Sequence, residues 1–126
     1  MLRYFNLWLS FGCLMILTVC YLSLTSSPPE LDIDFKYIDK LEHWLAYFVL
    51  MLWFSQLYKS VRTRFFYLLF FILMGVVLEV LQGLGGIRYF EYGDMLANTL
   101  GAVTAWLITK YRLNNLLFSF EKLLLK

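Results

Sequence analysis

The segment Phe65–Gly83, FFYLLFFILMGVVLEVLQG, decides how this chain folds. From Phe65 to Leu78 it carries no charge, and Phe, Leu, Ile and Val surround one Tyr, one Met and one Gly. A bilayer core of about 30 Å takes roughly 20 apolar residues of helix, so the run reads as a membrane span. Near its far end Glu79 and Gln82 interrupt it. A titratable group at membrane depth is costly, which makes Glu79 a functional candidate by default.

The rest of the chain has the same character. Hydrophobic residues make up 61% of the 126 positions, aromatics 20% and charged residues 16%, too little polar surface to coat a water-soluble domain. Three further helical spans are expected, Phe5–Leu24, Asp39–Tyr58 and Asp94–Thr109, giving an all-α membrane protein with four transmembrane helices in one domain. Arg3 ahead of the first run also fits an export signal. The run is longer than a usual signal core and no small-residue cleavage site precedes Ser26–Pro29, which favours an uncleaved anchor. Cys13 and Cys20 lie on that same helix and read as packing residues, not as a disulfide or metal pair.

Lys59, Arg62 and Arg64 crowd the second loop, and Lys110, Arg112, Lys122 and Lys126 follow the last span. The positive-inside bias puts both groups, and both termini, in the cytoplasm. Glu30, Asp32 and Asp34 in the first loop, and Arg88 beside Glu91 in the third, then face outward. The tail from Arg112 to Lys126 alternates apolar pairs with polar residues and is expected to form a short amphipathic helix on the membrane surface.

Helical spacing sorts the polar residues into faces. Asp39, Lys40, His43 and Tyr47 share one face of the second helix; Gly75, Glu79 and Gln82 share one of the third; Asp94, Asn98 and Gly101 share one of the fourth. Counting about 1.5 Å per residue from the cytoplasmic ends puts His43, Glu79 and Asp94 at about 22, 21 and 24 Å, a single polar layer. Ala97, Gly101 and Ala105 form a small-residue series that permits close helix approach. Asp94, following Gly93, is also placed to cap the fourth helix.

The combination Asp39-Lys40-x-x-His43-x-x-x-Tyr47, Gly75-x-x-x-Glu79-x-x-Gln82 and Arg88 followed by Asp94-x-x-x-Asn98-x-x-Gly101 resembles the VanZ-like family of small bacterial membrane proteins. The resemblance runs from about Ile38 to Ile108. It implies a multi-pass protein of the bacterial cytoplasmic membrane, linked in some members to glycopeptide (teicoplanin) resistance, and it carries over the polar positions Asp39, Lys40, His43, Glu79, Gln82, Arg88, Asp94 and Asn98. The run Tyr89-Phe90-Glu91-Tyr92 departs from the smaller or more polar residues expected there.

These residues lead to a site for an anionic lipid-linked or envelope molecule, with Arg88 and Lys40 meeting a phosphate or carboxylate above His43, Glu79 and Asp94. Tyr47, Gln82 and Asn98 complete the ligand-binding set. Two other classes stay open: a hydrolase or transferase using His43, Glu79 and Asp94 as acid–base groups, and a non-catalytic transporter, scramblase or adaptor acting as a homo-oligomer or with a membrane partner. No metalloprotease, serine-elbow or phosphate-loop signature is present, and neither a cofactor nor a metal is expected. The formal net charge of +2, explained by topology, gives nucleic acid no footprint.

Overall fold

A computed structural model describes residues 2–25, 38–86 and 90–126. Among them there are five helices and no strands: α1 (Phe5–Leu24), α2 (Ile38–Leu57), α3 (Val61–Leu84), α4 (Tyr92–Tyr111) and α5 (Leu116–Leu124). The expected first-loop acids, the Ser26–Pro29 break and Arg88 lie outside the described residues.

Each helix begins and ends for local reasons. α3 starts at Val61, ahead of the expected Phe65, because Ser60 caps it by accepting the Thr63 N–H at 3.4 Å. α4 starts at Tyr92, so Asp94 stands inside the first turn and is not the cap. Glu91 holds the cap position without a side-chain cap bond, and the Asp94 carboxylate is used on another helix. At the far end of α4 the chain turns through Leu113, a left-handed residue at φ 51, and the Leu113 carbonyl accepts from Gln56 Nε2 at 2.6 Å.

α2 is the centre of the bundle and packs on all four other helices. Its buried positions Tyr47, Leu50, Met51, Phe54 and Leu57 recur at helical spacing and meet Leu68 and Phe71 of α3, Ala102 and Ala105 of α4, and Leu117 of α5. The α2–α4 contact is the closest. A Cβ built on Gly101 would collide with the Trp44 carbonyl oxygen and lie 3.1 Å from Phe48 N, so two backbones touch where the small-residue series runs. Phe54, with ring centroids 4.9 Å from Tyr67 and 5.4 Å from Phe71, fills the α2–α3 side.

α1 lies across α2 and α3 and buries little beyond Gly12. Its outer stripe, Leu7, Phe11, Leu14, Leu17 and Tyr21, is largely exposed, as are Phe66, Leu69 and Leu73 of α3. α1 and α3 are each long and apolar enough to cross a membrane. In α2 and α4 the apolar faces are interrupted by Asp39, Lys40 and Glu42 and by Asp94 and Lys110.

Candidate functional site

The N-termini of α2 and α4 meet at one end of the bundle, and their first turns carry Asp39 and Asp94. Carboxylates there face the positive ends of two helix dipoles. Between them stands Lys40. Its ammonium contacts Glu91 Oε2 and Asp94 Oδ1 directly, and Asp39 Oδ2 lies at 3.6 Å. His43 follows one turn later on the same face of α2.

Both aspartates bridge the two basic side chains. Asp94 gives Oδ1 to Lys40 and holds Oδ2 3.6 Å from His43 Nε2; Asp39 gives Oδ2 to Lys40 and holds Oδ1 3.8 Å from the same nitrogen. The other ring nitrogen, Nδ1, is 3.1 Å from Asn98 Oδ1. An amide oxygen can only accept, so Nδ1 is the donor in that contact, and Nε2 is the ring nitrogen turned to the two carboxylates. Burial is graded across the cluster: the Asp94 side chain is 8% exposed and His43 13%, against 51% for both Asp39 and Glu91. The inner half is shielded and the outer half is open to the surroundings.

Glu79 enters indirectly. Fully buried on α3, it accepts the Glu91 backbone N–H at 2.9 Å through Oε1 and so pins the segment that leads into α4. Gly75, one turn below on the same face, lets α3 approach Asn98: a Cβ there would stand 3.1 Å from Asn98 Cβ. Asp39, Lys40, His43, Asp94 and Asn98 are thus brought together, with Glu79 joined through Glu91. Tyr47 is buried in the core. Gln82 turns to α1, where its Nε2 donates to the Ser23 carbonyl at 2.5 Å. Arg88 is outside the described residues, so its place relative to Lys40 has no structural account.

Chemically, the cluster has three carboxylates around one ammonium and one imidazole. Asp39, His43 and Asp94 each offer a ligand atom within 4.8 Å of one another, a donor set that suits a divalent cation once Lys40 is displaced. The same three are an acid–base group, with Asn98 orienting the ring. Glu91 could not be found from the sequence as a site residue, because its partner Lys40 is distant in the chain; its one signal was the acidic departure after Arg88.

At the opposite end, sequence reasoning also missed Arg64 and Glu121. Arg64 is buried without a carboxylate partner among the described residues; its Nε donates to the carbonyls of Ser55 at 2.9 Å and Tyr58 at 2.6 Å, while its terminal nitrogens reach Thr109 O at 3.5 Å and Asn114 O at 3.3 Å. Glu121 of α5, 4% exposed, accepts from the backbone N–H groups of Arg3 and Tyr4 and from Trp8 Nε1 at 2.7 Å. Desolvation pushes its carboxyl upward, but those three donors hold it below the usual carboxylate range. No known protein family, curated protein or solved structure matches the chain.

Proposed function

We propose that this chain is a VanZ-like protein of the bacterial cytoplasmic membrane, with four spans formed by α1 to α4 and both termini in the cytoplasm, and that it binds the anionic head group of a lipid-linked envelope molecule. The observation that carries this reading is the Lys40 ammonium, one-third exposed and shared by Glu91, Asp94 and Asp39 at the end of the bundle away from the exposed basic residues. The geometry also refines it. Lys40 is not a vacant receptor, so a phosphate reaches it by replacing Glu91, the half-exposed carboxylate, while buried Asp94 stays and keeps the ammonium aimed outward. A link to glycopeptide susceptibility belongs to the same proposal.

Farnesyl phosphate, farnesol and inorganic phosphate titrated into the detergent-purified chain test it. Farnesyl phosphate should bind tightest, Lys40→Gln should weaken it about ten-fold, and Glu91→Gln should strengthen it, since one charge-assisted hydrogen bond is worth roughly 1.5 kcal/mol. Farnesyl phosphate binding no better than farnesol would end the head-group reading. A second reading, a hydrolase or transferase, draws on His43, whose Nε2 faces Asp94 with Asn98 behind the ring. Release of phosphate from a labelled lipid phosphate, abolished by His43→Gln, would select it.

A further inference from the structure

The other end of the bundle carries a surface on which the head-group reading does not draw. Arg3, Lys59, Arg62, Lys110, Arg112, Lys122 and Lys126 are exposed there. Among the described residues the acid at that end is Glu121, whose carboxylate is buried and taken up by the N–H groups of Arg3, Tyr4 and Trp8. The exposed cations form no ion pair among the described residues. Lys59 instead lies 5.0 Å from the Phe118 ring centroid, and Lys110 lies 5.0 Å from that of Trp106. Positive charge is left uncompensated.

α5 runs through this ring of cations with a fixed roll. Leu117 and Glu121, one turn apart, face inward: the Leu117 N–H donates to Gln56 Oε1 at 3.3 Å, and Glu121 takes the α1 donors. That roll turns Leu116, Phe120 and Leu123, spaced on one flank, away from the bundle at 45%, 50% and 65% exposure. An apolar flank between lysines matches the boundary of an anionic bilayer, where the flank enters the acyl chains and the cations meet phosphates. A second copy of this chain fits poorly, because it brings the same positive charge to the same face.

We propose that this end of the molecule is a docking surface for anionic phospholipid head groups, with α5 seated in the membrane interface. The proposal uses none of the acidic-cluster residues and holds whichever leaflet the end faces. Its test uses the full chain in neutral detergent, titrated with phosphatidylglycerol or with phosphatidylcholine of the same acyl chains, with binding read by native mass spectrometry and by fluorescence of a probe on Ser119→Cys with Cys13 and Cys20 replaced by Ser. Phosphatidylglycerol should bind about ten-fold more tightly or better, and each of Arg112→Gln, Lys122→Gln and Lys126→Gln should weaken it about five-fold, the scale expected per cation near an anionic surface. Raising the salt on the unaltered chain should erase the preference without any substitution, so a misfolded variant cannot mimic the result. Equal binding of the two lipids, a preference that survives high salt and the triple substitution, or an α5-dependent dimer in phosphatidylcholine would each overturn the proposal.

Discussion

Arg64 and Glu121 are buried charged side chains, the first served by backbone carbonyls and the second by two backbone N–H groups and the Trp8 indole N–H. Arg64 sits in the first turn of α3, where the helix dipole disfavours a cation, and recovers by donating to carbonyls near the ends of α2 and α4. Glu121 does the reverse with donors at the start of α1. Its folded value lies below that of a glutamate in the unfolded chain, about 4.3. Docking of α5 is therefore at full strength above that value and weakens as pH falls through the folded value. A fluorophore on Ser119→Cys, with Cys13 and Cys20 replaced by Ser, should report release of α5 only on the acid side of the ordinary glutamate value. In Glu121→Gln that acid step should vanish, with α5 looser at every pH; an identical acid step in the two proteins would separate Glu121 from the docking. Neither residue's role was legible in the sequence. Arg64 read as a topology charge and Glu121 as part of a surface tail, because their partners lie on other helices.

Helix positions follow closely from the apolar runs, since length and spacing are local properties that a sequence displays. The Ala97, Gly101 and Ala105 series likewise announced a close contact, and α2 and α4 make it. What spacing did not display is which glycine is irreplaceable. Alanine for glycine in a helix gains about 1 kcal/mol of propensity, against which the contact must be weighed. At Gly75 the added carbon meets side chains at 3.1 Å or more, so Gly75→Ala should leave the unfolding midpoint near that of the parent. At Gly101 it meets the Trp44 backbone, which cannot turn aside, so Gly101→Ala should lose about 2 kcal/mol as α2 and α4 are forced apart. Thermal unfolding in detergent distinguishes them, and equal midpoints would mean that the α2–α4 contact yields freely. The site shows the same limit. The polar faces on α2 and α4 were legible and converge, whereas Gln82 shares the Glu79 face and yet turns to α1, a choice fixed by where α1 lies.

Across the whole molecule charge is sorted by end. Asp39, Glu42, Glu79, Glu91 and Asp94 gather with Lys40 at one end, and the exposed cations gather around α5 at the other. That polarity was visible in the sequence, because it is set by which loops hold Lys and Arg. The proposed orientation predicts that, in the same cysteine-free background, Tyr92→Cys is labelled by a membrane-impermeant maleimide on intact cells and Arg62→Cys only after lysis. The reverse pattern would invert the topology. The Glu121 contact with Arg3, Tyr4 and Trp8 has a consequence for the order of events during synthesis. α5 is made after all four long helices, so the donors at the start of α1 wait through the making of the bundle for the carboxylate that completes them. A chain halted before Glu121 would contain every long helix and still leave its first turn unlatched, open to a protease that the finished protein excludes.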